Sequence, residues 1–136
     1  MKLEQKFTTK FKHWLHSQDD YGTAAWEFKV VNNGTSFPFS DVQPHQEQAL
    51  LAVSQNLFCF KIPDDGLQKP FDMFTMRKEC AYVVIAFLEK RKPTRVFILS
   101  ILTFQNLRDN HERKSIKPEE LSCFVKTKEN CQEIIF

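Results

Sequence analysis

The sequence predicts an α/β or α+β sandwich, and three observations carry that reading. Apolar residues switch along the chain from a helical period to a two-residue period and back. The turn-forming stretches between the later apolar runs are short, which favours antiparallel neighbours. With 136 residues, 42% of them hydrophobic and 26% charged, the chain has enough for one core, so residues 1–136 read as a single domain.

The first element is an amphipathic helix, in which Leu3, Phe7, Phe11, Trp14 and Leu15 recur at helical spacing among lysines and histidines. Residues 17–22 are polar and end on Gly22, a loop. Residues 24–31 then read as a strand, with Trp26, Phe28 and Val30 on one face and Ala25, Glu27, Lys29 and Val31 on the other. Asn32, Asn33 and Gly34 break it. After Phe37-Pro38-Phe39, Ser40 or Asp41 caps a second helix running to about Asn56, with Val42, Gln46, Ala49, Leu50 and Val53 facing inward. Four further apolar runs cover residues 57–62, 71–76, 81–88 and 95–102. Pro63-Asp64-Asp65-Gly66, Arg77-Lys78-Glu79 and residues 89–94 separate them, and Pro-Asp-Asp-Gly is strong turn chemistry. A last helix starts near Ser115 or Pro118, where Glu119 and Glu120 suit the first turn. The order is helix, strand, helix, meander and closing helix.

Composition excludes several classes. The 14 Phe against 3 Gly fall mainly in strand-like runs, so most Phe side chains are expected in the core, not on a base-stacking platform. A net charge of +2 is too small to mark a polyanion binder by bulk electrostatics, so any such binding needs local clustering. Cys59, Cys80, Cys123 and Cys131 show no zinc-finger spacing and read as reduced thiols of a cytoplasmic protein. The N-terminus begins polar, and neither a signal peptide nor a membrane span is visible.

Glu27 and Lys29 are the candidate chemistry. The strand period projects both to the same side of a sheet. Metal-dependent phosphodiester hydrolysis uses a carboxylate to hold a hard cation, which polarises the phosphate and the attacking water. A neighbouring lysine orients that water or offsets charge on the transition state. The spacing alone does not separate this reading from a same-face surface ion pair, because the chain has three E-x-K triplets. The other two, Glu4-Gln5-Lys6 and Glu112-Arg113-Lys114, fall in a helix and a polar loop.

The surroundings of Glu27 separate it from the others. Ala25-Trp26-Glu27-Phe28-Lys29, then Ser36-Phe37-Pro38-Phe39, then His45-Gln46, resembles the core of RecU-type Holliday junction resolvases, members of the PD-(D/E)XK superfamily. Residues 23–51 carry the resemblance; residues 82–87 and 95–101 fit the remaining strands loosely. Lys69-Pro70-Phe71-Asp72 and Arg113-Lys114-Ser115 are similar to companion motifs of short phage-encoded resolvase-like proteins. The resemblance implies a restriction-endonuclease-like mixed β-sheet flanked by helices, Mg²⁺ or Mn²⁺ as cofactor, branched DNA as partner, a homodimer, and the cytoplasm of a bacterial or phage-infected cell. A junction presents two equivalent strands to cut, which a twofold dimer matches.

Position by position, Glu27 resembles the metal-binding carboxylate, Lys29 the catalytic lysine and Gln46 the active-site glutamine. Gln46 reads equally well as a helix residue partly buried beside Ala49 and Leu50. His45 and Glu4 are better read as solvated. The superfamily's acidic residue upstream of E-x-K has no orthodox match: Asp19 and Asp20 leave little room for a complete preceding strand. Asp72, at the start of an apolar run, is preferred to them as second metal ligand. Lys90, Arg91, Lys92 and Arg95 cluster in one connection, and Arg108, Arg113, Lys114 and Lys117 in another. Lys90, Arg91, Lys92, Arg113 and Lys114 are candidates for contacts to DNA phosphates, although charged turns also merely solvate strand ends. The expectation is a metal-dependent endodeoxyribonuclease acting on branched or structured DNA; the alternative is a binding domain that keeps the fold without catalysis.

Overall fold

A computed structural model describes residues 3–18, 21–32, 35–64, 66, 68–76, 81–128 and 130–136. The elements follow the order α1 (Leu3–His16), β1 (Ala25–Asn32), β2 (Phe37–Pro38), a 3₁₀ turn (Phe39–Asp41), α2 (Pro44–Gln55), β3 (Phe58–Lys61), β4 (Met73–Met76), β5 (Ala81–Leu88), β6 (Arg95–Ser100), α3 (Ile101–Asn110), β7 (Ser115–Ile116), α4 (Pro118–Val125) and β8 (Cys131–Ile135).

The central sheet is mixed and runs β1-β5-β6-β8, with β1 parallel to β5 and the other pairs antiparallel. β5 and β6 fill the middle of the sheet, and their apolar residues are buried on both faces, as expected of strands covered from two sides. On one face Val84, Ala86, Val96 and Ile98 meet Phe7 and Phe11 of α1, with Trp26 and Phe28 of β1 packed beside them. On the other, Val83, Ile85, Phe87, Phe97 and Leu99 meet Leu50 and Val53 of α2, Phe104 and Leu107 of α3, and Leu121 of α4. The fold is therefore α/β, a mixed sheet flanked by helices. Phe7, Phe11, Phe37, Phe39, Phe87, Phe97 and Phe104 are buried in the core, whereas Phe60, Phe71 and Phe74 are exposed.

Several elements differ from the sequence expectation. The second helix starts at Pro44, not at Ser40 or Asp41; proline at the first helical position costs no hydrogen bond, and residues 39–41 form the 3₁₀ turn before it. The run at residues 95–102 does not stay extended. It turns at Ser100, whose hydroxyl accepts the Thr103 amide at 3.2 Å and starts α3. The strands do not form one antiparallel meander, because β3 and β4 pair with each other as a separate hairpin and β1 joins β5 in parallel. The chain does not close on a helix: β8 follows α4 and pairs with β6. Residues 77–80, which include the expected Arg77-Lys78-Glu79 turn, lie outside the described residues. Among the described residues no helix is long and apolar enough to cross a membrane.

Candidate functional site

β1 is an edge strand, and its register sets Glu27 beside Val83 and Lys29 beside Ile85 of β5. Val83 and Ile85 are wholly buried. At the edge the same two rows stay partly open, so charged side chains keep contact with water. The side chains of Glu27 and Lys29 are 26% and 19% exposed, and Lys29 Nζ lies 3.3 Å from Glu27 Oε1.

A third residue joins them from α2. The Gln46 Nε2 amide donates to Glu27 Oε1 at 2.9 Å, while Gln46 Oε1 accepts the backbone N–H of Gln43 at 3.0 Å. Because a backbone N–H can only donate, that second bond fixes which end of the amide faces Glu27. The helix start therefore aims the glutamine, and the glutamine aims the carboxylate. Both contacts fall on the same oxygen, Oε1.

The next residue, Glu47, locks α2 in place. Its carboxylate accepts Arg108 Nη1 at 2.6 Å and Gln105 Nε2 at 2.7 Å, both from α3. The Arg108 hydrogen bond holds the Glu47 carboxyl below the usual carboxylate range, against the opposing effect of burial. No reading of the sequence singled out Glu47, because its partners lie on a helix that the sequence does not announce.

The remaining candidates do not gather at Glu27. Asp72 lies just before β4, pairs with Lys69 Nζ at 3.3 Å, and has a side chain 87% exposed; no hydrogen bond or ion pair joins it to Glu27 or Lys29. Asp19 and Asp20 lie outside the described residues. His45 is exposed at the start of α2, and Glu4 is exposed on α1, on the opposite side of the sheet. Lys90, Arg91 and Lys92 form the exposed turn between β5 and β6, where Lys92 pairs with Glu89 at 2.9 Å. Arg95 is held by Glu133 at 2.9 Å. Arg113 pairs with Glu120, whereas Lys114 is exposed. Arg113 and Lys114 line a cavity of about 440 Å³ with Pro44 and Glu47, next to the residue that holds Glu27.

Among the described residues no group of three or more His, Cys, Asp or Glu side chains is placed to hold a metal ion. Glu27 is the carboxylate on which Lys29 and Gln46 converge. Such a donor set fits Mg²⁺ only where water and substrate phosphate oxygens complete the coordination, an arrangement that Mg²⁺ commonly adopts. No family model, curated protein or solved structure matches the chain.

Proposed function

We propose that the chain is a divalent-metal-dependent endodeoxyribonuclease, similar to a Holliday junction resolvase, that hydrolyses phosphodiesters in branched or structured DNA. The observation that supports this most is the convergence of Lys29 Nζ and Gln46 Nε2 on one oxygen of Glu27, at 3.3 and 2.9 Å, on an open sheet edge. It brings together the three residues that the resemblance singles out, although they come from two elements.

When bound, Mg²⁺ would supply Lewis-acid polarisation of the phosphate and of the attacking water. Glu27 would hold it. Gln46 keeps the carboxylate from turning, so the ligand oxygen is preset before DNA arrives. Lys29, 3.3 Å from Glu27 Oε1, would offset the charge that builds on the phosphate. Lys90, Arg91 and Lys114 are exposed and would offer cations to a DNA backbone.

The test uses labelled four-way junction, linear duplex and single strands with Mg²⁺, Mn²⁺ or EDTA. Metal-dependent cuts in the junction that vanish in Glu27→Ala and Lys29→Ala are expected. Cleavage that survives either substitution, or that proceeds in EDTA, would sink the proposal. A second reading, a nuclease-fold domain that binds DNA or a protein partner without cutting, is favoured by the absence, among the described residues, of three or more His, Cys, Asp or Glu side chains grouped to hold a metal ion. It predicts salt-sensitive junction binding with no cleavage in any metal.

A further inference from the structure

We propose that the cavity beside the start of α2 binds one nucleotide, a planar base carrying a single phosphate. At about 440 Å³ it falls within the range of small-molecule sites, about 300–1,000 Å³. It lies between the turn that leads into α2 and the connection from α3 to β7, and Phe39 and Val42, both buried, form its floor. The ligand class rests on the proposed activity on DNA; the form and chemistry of the cavity do not.

The walls are held before any ligand arrives. The Phe39 N–H donates to the Lys114 carbonyl at 3.0 Å, which fastens the two sides together. Arg108 donates to Glu47 at 2.6 Å and to Asp109 at 3.1 Å, so its guanidinium plane is fixed. The His111 ring meets Phe39 in a T-shaped contact with centroids 5.6 Å apart, and its Nε2 lies 3.4 Å from Glu120 Oε2. Side chains already ordered in this way are not immobilised again on binding.

Depth and chemistry indicate the occupant. Arg108 and His111 are 30% and 16% exposed and stand deep, whereas Arg113 is 56% exposed and stands at the rim with the exposed Lys114. Nucleobases stack on guanidinium planes and aromatic rings, which the deep pair supplies. Arg108 and Arg113 are paired with Glu47 and Glu120, while Lys114 is in neither pair. One such cation suits one phosphate, not a tract of nucleic-acid backbone. Arg113 has N–H donors beyond those that Glu120 engages. Ser40 and Glu112, exposed at the mouth, offer a hydroxyl and an acceptor to the base edge or the sugar. An inorganic anion would leave the apolar floor uncovered, and an uncharged ring would leave the rim cations unused. The wall residue Glu47 directly follows Gln46, which binds Glu27, so the cavity and the proposed cleavage site share the start of α2. An unpaired nucleotide in a strand and a free nucleoside monophosphate present the same group.

The experiment is isothermal titration of the full chain in EDTA, where no metal-dependent cleavage occurs, so its outcome does not depend on whether Glu27 cuts DNA. Deoxyadenosine and thymidine monophosphates are expected to bind at one site per chain, about 10-fold or more tighter than inorganic phosphate, the matching nucleosides or benzoate. Ser40→Trp, which fills the mouth from an exposed position, should abolish binding. Lys114→Ala should weaken it about 10-fold, and both variants should unfold cooperatively like the wild type. Lys6→Ala, exposed on α1, should leave it unchanged. A single-stranded oligonucleotide that displaces the monophosphate, and an abasic strand that does not, would identify a DNA strand as the source; no displacement by either would identify the free nucleotide. Equal affinity for phosphate or benzoate, binding that survives both Ser40→Trp and Lys114→Ala, or no binding of either monophosphate would overturn the proposal.

Discussion

Two donors meet on one carboxylate oxygen of Glu27, and they differ in kind. Lys29 reaches it from the same strand face, two residues on, whereas Gln46 reaches it from across the helix–sheet interface. The first contact follows from the strand period and is legible in the triplet. The second is not, because it requires α2 to begin at Pro44 so that its third residue caps Gln43 and still points at the sheet. Replacing Gln46 by Leu removes both bonds at once while roughly keeping the volume. Since hydrogen bonds to charged groups contribute about 1.5–3 kcal/mol and neutral ones about 1 kcal/mol, Gln46→Leu should lower unfolding stability by about 2.5–4 kcal/mol in urea titrations. Any cleavage activity should fall further than that of an Ala49→Ser control. A fully stable Gln46→Leu chain would contradict the linkage described here.

At the scale of elements, the position of α2 depends on α3. Glu47 carries the contact through Arg108 and Gln105, with the Arg108 side chain 30% exposed. Because Arg108 holds the Glu47 carboxyl low, the unfolded chain binds more protons than the folded one in the acid range. The contribution is complete above the ordinary carboxylate pKa and disappears as pH falls through the lowered folded value. Glu120 adds to the same slope: burial pushes its carboxyl up, but the Lys117 amide, Arg113 and His111 together outweigh that effect. Glu47→Gln should therefore lower the urea midpoint near pH 7, by about 1–3 kcal/mol in stability, and make the loss on acidification shallower without abolishing it. Equal acid slopes in the two chains would show that Glu47 does not carry the effect. The sequence hides α3 because Ile101 and Leu102 continue the apolar run of β6. Only Ser100, followed by Phe104 and Leu107 at helical spacing, marks the switch.

For the whole molecule, a net charge of +2 means that the proposed DNA partner would have to be held by local groups of cations. Its cations are dispersed, and several are already neutralised: Arg95 by Glu133, Arg108 by Glu47 and Arg113 by Glu120. Lys90, Arg91 and Lys114 stay exposed and outside these pairs. If all three touch phosphates, replacing them together by Ala should reduce the slope of log affinity against log salt by about 3 for duplex arms, measured by fluorescence anisotropy on a four-way junction. An unchanged slope would remove these residues from the DNA surface. The sequence by itself determined the helix and strand periods, the all-apolar β5 and the shared face of Glu27 and Lys29. Those features follow from residues a few positions apart, whose side-chain directions are set by local backbone geometry. Tertiary structure alone decided the parallel entry of β1 beside β5, the separation of β3–β4, the closing strand β8, and the positions of Gln46 at Glu27 and Asp72 on the exposed hairpin. Those depend on which faces must be buried together across long stretches of chain, and no local pattern records that.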